Sequence, residues 1–371
     1  MIGDLARSPA DPVALLTELV AEPSVSGAEG AAVHCLVRHL HRLGFAARVD
    51  EAGNAVGEIG DPDGPTVMLL GHIDTVPGDL PVLRRGELLY GRGTVDAKGP
   101  LAAMAVAASR AAARGVPARL LVVGAVDEEG LSRGARHLAG GPAPDAVVIG
   151  EPSGVDGVVL GYKGILRFRY DVTRPAVHTS SPEEKATEVA AEFWSALRDH
   201  LAGECSDGPY FEQVRPALVS WSGDIEHAEL DISCRLPPGF DTDALLARLR
   251  RDARGGRITV VERTEAVRSP RSDPVARALT RAIRDHGLRP VPKVKLGSSD
   301  MNVVAPRWNV PVAAYGPGDA GLDHTDREHL DLRDYRRAID VLTDALGLLA
   351  ESLAAPVQAP AGAGRKTGVL R

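Results

Sequence analysis

The sequence predicts an α/β fold interrupted by a smaller α+β unit. Three observations support this. Short apolar runs bounded by turn residues, at 65–70, 119–126 and 145–149, alternate with helical stretches. That βαβ rhythm belongs to a largely parallel sheet covered on both faces. From about Gly164 the texture changes to strands that alternate apolar with polar, as in a sheet with one wet face. After Ser269-Pro270 the first texture resumes.

In order along the chain, Asp11-Pro12 is a cap followed by a first-turn proline, and it opens a helix that ends near Ala21. A second helix runs from about Glu29 to Leu43 and stops at Gly44. Short strands follow, then the apolar run at 65–70, which reads as a strand buried on both faces and ends at Gly71-His72. An Ala-rich helix at 98–114 leads to a strand at 119–126, a small helix near 132–138 and a strand at 145–149. The second texture reads as a strand at 165–172, a helix at 182–201, strands at 217–222 and 228–236, a helix at 241–251 and a strand at 257–261. That is an α+β sandwich. A helix at 273–285, a strand-like run at 311–315 and a final helix at 331–353 complete the fold. The expected division is one α/β domain formed by 1–163 and 271–353, an inserted domain at 164–270, and a disordered Ala/Gly/Pro-rich tail at 354–371.

The 371 residues, 44% hydrophobic and 25% charged, suffice for about two ordinary globular domains. A net charge of −7 argues against nonspecific binding to nucleic acid or to an anionic membrane. No apolar run reaches the roughly 20 residues needed to span a bilayer. The first dozen residues carry Asp4 and Asp11 and lack a signal-type apolar stretch, so a cytoplasmic location is expected. Cys35, Cys205 and Cys234 are odd in number and far apart, which supports neither a disulfide framework nor a thiolate metal site. One stretch, 247–271, holds eight arginines against Asp252, Glu262 and Glu265, and this local +5 would steer an acidic partner.

Ligands in open α/β sheets bind beyond the carboxyl ends of the strands. Five expected exits carry acids or histidines there: His72-Ile73-Asp74, Asp96, Asp127-Glu128-Glu129, Glu151-Pro152-Ser153, and Asp323-His324 in a Gly-rich loop. Imidazole and carboxylate without thiolate suit Zn2+, Co2+ or Mn2+ in a hydrolytic role. Two histidines and three carboxylates exceed what one tetrahedral ion uses, and they suffice for two ions bridged by one carboxylate. Glu128, beside Glu129 but aimed differently, offers a general base. Asp74 is placed to orient the His72 imidazole.

GHIDTVPG (71–78), YGRGTVDAKGP (90–100), DEEG (127–130) and GEPS (150–153) occur in that order, and the chain resembles the M20 metallopeptidases. That family includes acetylornithine deacetylase, succinyl-diaminopimelate desuccinylase, aminoacylases and glutamate carboxypeptidases. The resemblance implies a zinc-peptidase-type α/β/α catalytic domain with an inserted dimerisation or lid domain. It implies two divalent ions, zinc first, with His72 and Glu151 on opposite metals, Asp96 bridging, Glu129 on the second ion and His324 closing the set. Glu128 would be base and proton shuttle, with Asp74 behind His72, and the Asp96–Ala97 bond would be cis. His178 in RPAVHTSSPEE would reach the partner's site in a homodimer to stabilise the oxyanion, although Val177 stands where glycine is usual. Arg235 in DISCRLPPG would hold the substrate carboxylate, although the asparagine usual upstream is missing from SWSGDIEHAE. Ser298, Ser299 and Asp300 either line the substrate pocket or cap the helix that follows.

The segment 295–330 is similar to hydrolases that release lysine or ornithine from an amino-group carrier protein, a small acidic protein. The expected reaction is therefore hydrolysis of an amide between an amino acid and an acyl group or carrier, using metal-activated water. Alternatives on the same chemistry are acetylornithine deacetylation, succinyl-diaminopimelate desuccinylation, and dipeptidase or carboxypeptidase action. A non-catalytic dimeric binding protein on this scaffold would have lost a ligand or the base, and none is lost.

Overall fold

In the computed structural model, which describes residues 11–203 and 208–355, Asp11 starts the first helix as expected, accepting from the Val13 N–H at 3.0 Å. Most of the expected tail (356–371) and Cys205 lie outside the described residues. The first part of the chain forms α1 (Pro12–Ala21), α2 (Gly30–Arg42), β1 (Ala46–Val49), β2 (Ala55–Gly60) and β3 (Thr66–His72). It continues through β4 (Leu83–Arg85), β5 (Leu88–Tyr90), α3 (Lys98–Ala113), β6 (Arg119–Ala125), α4 (Arg133–Ala139), β7 (Ala146–Gly150) and β8 (Gly157–Tyr162). Then come β9 (Gly164–Thr173), α5 (Ala186–Gly203), β10 (Arg215–Gly223), β11 (His227–Leu236), α6 (Thr242–Arg251) and β12 (Arg257–Thr264). The chain closes with β13 (Val267–Arg268), α7 (Pro274–Asp285), β14 (Val291–Lys295), α8 (Met301–Trp308), β15 (Val312–Ala314), β16 (His329–Asp331) and α9 (Leu332–Ala354).

Nine strands build the large sheet in the order β1-β2-β6-β3-β7-β15-β8-β13, with β14 also on β8. Its centre, β6-β3-β7-β15, is parallel, while β1, β2 and β13 run antiparallel to their neighbours. The run at 65–70 is apolar throughout because both faces are covered. Val67 and Leu69 pack into a core with α1, α2, α3, α7 and α9, while Met68 and Leu70 pack into a second core with α4 and α8. Side-chain caps from Asp273 and Asp331 start α7 and α9, each accepting an N–H at 2.8 Å.

The interrupting unit is a four-stranded antiparallel sheet, β10-β11-β9-β12, backed by α5 and α6 around its own apolar core. Leu166, Phe168 and Tyr170 of β9 enter that core, leaving Ile165, Arg167 and Arg169 for the other face. The chain re-enters the large sheet at Val267, where β13 pairs with β8.

Three expectations need correction. The buried strand β8 and the strand β14 escaped the sequence analysis, although 157–162 is itself a continuous apolar run. The helix expected from 182 starts at Ala186, where Glu188 reaches back to accept from the Lys185 N–H at 2.9 Å. Asp96 does not follow a strand. Residues 91–97 form a tight turn in which Gly91 and Gly93 take positive φ (150° and 86°) and deliver Asp96 to the start of α3.

Candidate active site

The adjacent parallel strands β3 and β7 end in register, Gly71 opposite Gly150, so the residues that follow them emerge side by side. His72 Nε2 lies 3.1 Å from Asp96 Oδ1 and 3.9 Å from Glu151 Oε1. The other oxygen of Asp96, Oδ2, lies 2.9 Å from His324 Nε2, which is also 2.9 Å from Glu129 Oε1. Two groups able to hold a metal, His72–Asp96–Glu151 and Asp96–Glu129–His324, are joined by the two oxygens of Asp96, and His72 also groups with Glu128 and Glu129. The expectation that His72 and Glu151 serve opposite ions does not fit this arrangement. Neighbouring strands put both on the same side of Asp96.

Around these groups the fold holds the ligands rigidly. His72 Nδ1–H donates to the Asp74 carbonyl at 3.0 Å, which leaves Nε2 facing Asp96. Asp74 is fully buried, and its carboxylate accepts from Ser26 Oγ at 2.7 Å and from the backbone N–H groups of Glu128 and Glu129, both at 3.0 Å. His324 takes the left-handed backbone conformation, φ 61°, at the end of the glycine-rich loop. The Asp96–Ala97 peptide bond is cis, as the resemblance implied.

Two residues that the sequence analysis did not single out support Asp96. The side chain of Glu328 is fully buried and accepts from the Val95 and Asp96 N–H groups at 2.9 and 3.2 Å through Oε1. Its Oε2 accepts from Arg92 Nη1 at 2.8 Å. Both residues lay inside the motif-bearing segments, but an acid four positions after His324 carries no spacing signal of its own.

Crowding of acids dominates the electrostatics. Burial pushes Glu151 up to about 8, with Asp96 adding to the shift. Burial also pushes Glu128 well above the usual carboxylate range, opposed by His72 and reinforced by Glu151. Hydrogen bonds to Asp96 and Glu129 raise His324 to about 10. Asp96 is held low despite its burial, by His324 and His72. Divalent cations relieve such a cluster, and the imidazole and carboxylate donors fit zinc-type ions.

The site opens into a cavity of about 370 Å³ whose lining includes Glu128, Tyr162, Arg167, Arg235, Glu262 and Ser298. Arg235 Nη1 donates to Ser298 Oγ at 3.1 Å, so the two expected substrate-contacting residues meet across the unit boundary. Ser299 takes the capping role instead, its Oγ accepting from the Met301 N–H at 3.2 Å. Lys295 and Asp323, which also line the cavity, lie 3.8 Å apart.

His178 is not brought to this cavity. It is exposed on the segment between β9 and α5, with Nδ1 2.8 Å from Ser180 Oγ. Of the eight arginines at 247–271, five already face acids: Arg248 on Asp252, Arg254 on Glu184 and Glu192, Arg257 on Asp171, Arg263 on Asp243 and Arg268 on Glu212. That pairing reduces the local positive field the sequence suggested.

The family profile described as peptidase family M20/M25/M40 matches residues 68–347. A LysW-lysine hydrolase from Deinococcus radiodurans is 43% identical over 90% of this chain and 95% of that protein. A LysW-lysine/LysW-ornithine hydrolase from Sulfurisphaera tokodaii is 31% identical over 76% of this chain and 80% of that protein. Among solved structures, the M20 family metallo-carboxypeptidase Sso-CP2 from Sulfolobus solfataricus superposes with a TM-score of 0.78 at 17% identity, covering 92% of this chain and 99% of that one.

Proposed function

The chain belongs to the M20/M25/M40 peptidase family and is a metal-dependent amidohydrolase, and on that premise we propose that it releases lysine or ornithine from an amino-group carrier protein. The observation that carries the substrate reading is the 43% identity, over nearly the full length, to a LysW-lysine hydrolase. The acidic carrier is the proposed macromolecular partner.

The family binds a dinuclear metal centre, and the two ligand groups that share Asp96 suit one. In this reading His72, Asp96 and Glu151 hold one ion, and Asp96, Glu129 and His324 hold the other. Zinc is the first choice for these donors, with cobalt or manganese next. When bound, the ions would polarise the scissile carbonyl and acidify water at the site. Glu128, fixed through its backbone to Asp74, takes a proton from the attacking water and hands it to the leaving amine. Arg235, positioned by Ser298, binds the substrate carboxylate.

We assign 1–163 and 271–353 to a catalytic domain and 164–270 to a lid that also dimerises. Two features support association of two lids. The edge strand β10 exposes Val219 and Trp221 (54% and 42%), and His178 stands away from its own cavity, free to serve a partner's. A cytoplasmic location accompanies this reading: among the described residues Cys35 and Cys234 are free thiols, and no helix is long and apolar enough to cross a membrane.

The test is amine release by the zinc-loaded enzyme from lysine linked to its carrier through a glutamyl amide, compared with acetyl-lysine and acetylornithine. Strong preference for the carrier conjugate is expected. Equal or faster cleavage of the acetylated amino acids would make the chain an ordinary deacetylase.

A further inference from the structure

Among the described residues six carboxylates line the cavity: Asp96, Glu128, Glu129, Glu151, Glu262 and Asp323. The first four belong to the ligand groups or the proposed base, and Asp323 already faces Lys295 at 3.8 Å. Glu262 is left over. Among the described residues its carboxylate forms no ion pair within 4 Å, while Arg235 and Arg167, which line the same cavity, act on it through space.

Glu262 reaches that cavity through an irregularity in β12. Val260 pairs with Phe168, but the next step along β9, to Arg167, is met by Glu262, so Val261 is an extra residue. Ile258 and Val260 pack against the core behind the sheet. In a regular strand 262 would follow them onto that side. The bulge reverses the alternation and turns Glu262 and Thr264 to the side of Arg167 and Ile165, which line the cavity. Burying this carboxylate on a core would be costly, and the bulge instead aims it into a polar cavity where no guanidinium contacts it directly.

We propose that Glu262 binds the side-chain ammonium of the amino acid being released, while Arg235 binds its α-carboxylate. This rests on the reading that the substrate yields lysine or ornithine. Such a product, joined to its acyl group through the α-nitrogen, keeps one free carboxylate and one free ammonium at opposite ends of a flexible chain. Arg235 and Glu262 lie on one face of the sheet, on the strands either side of β9 and offset by two positions along it, Arg235 opposite Ile165 and Glu262 opposite Arg167.

The experiment measures kcat/KM for carrier-linked lysine and carrier-linked norleucine, which matches the lysine chain without its ammonium. Wild-type enzyme prefers lysine, and Glu262→Gln lowers the lysine-to-norleucine ratio on the order of 10- to 100-fold. Glu262→Lys shifts preference toward carrier-linked α-aminoadipate, whose side chain ends in a carboxylate. A merely structural role would lower all three rates together and leave the ratios in place. A ratio unchanged in Glu262→Gln, or a wild-type enzyme that does not distinguish lysine from norleucine, overturns the assignment. The ratio is taken within one acyl group, so it stands or falls separately from the carrier-against-acetyl comparison that tests the function itself.

Discussion

The carboxylate of Asp74 accepts a hydrogen bond from the backbone N–H of Glu128 at 3.0 Å. A residue expected only to stand behind His72 therefore also holds the turn that carries the proposed base. It accepts from Glu129 N–H as well, so one buried residue positions the His72 imidazole through its backbone carbonyl, and Glu129 and the proposed base through its carboxylate. Asp74→Asn keeps the shape but replaces one acceptor oxygen with a donor facing backbone N–H groups. The expected result is a 10- to 100-fold loss of metal affinity or turnover, of the order seen for outer partners of metal ligands. Metal titration and steady-state rates check it.

Glu328 holds the backbone at Asp96 in a similar way, accepting from the Val95 and Asp96 N–H groups. Glu328→Ala would leave Arg92 with only the carbonyls of Gly78 and Thr325 and two N–H groups without an acceptor, a loss of about 3–5 kcal/mol for a broken buried pair. Thermal unfolding should show a lowered Tm. Glu328→Gln, which keeps an acceptor for the backbone, should recover part of it.

The thiols give a pH-dependent prediction. Burial pushes Cys234 up to about 12 and raises Cys35 as well. Only the thiolate reacts, and a raised pKa means less thiolate at any pH below it. In a Cys205→Ser variant, neither remaining thiol should react with a disulfide reagent at pH 8 in the folded protein, and both should react once it is unfolded in guanidinium. Rapid labelling of the folded variant at pH 8 would contradict the described burial.

Much of this arrangement was legible in the sequence because continuous apolar runs mark strands covered on both faces, and polar residues at their ends then stand out. That logic brought His72, Glu151 and the Glu128-Glu129 pair to one place. It also brought Asp96 there, but the strand expected before it is a turn with two glycines at positive φ, which has no periodicity to read. The assignment of His72 and Glu151 to opposite ions came from the resemblance, and sheet order, which local pattern does not encode, puts both on one side of Asp96. Glu328 and Glu262 were invisible for related reasons. One acts through backbone N–H groups distant in sequence, and the other depends on a single extra residue in a strand.

The most direct measurement is turnover by metal-loaded Glu128→Gln, with metal content determined on the same sample. Loss of the proton carrier while both ligand groups stay intact predicts two ions per chain, native unfolding behaviour and a rate lowered on the order of 10²- to 10⁴-fold. Turnover near the wild-type level at full metal occupancy would contradict the assignment of the base and the mechanism built on it.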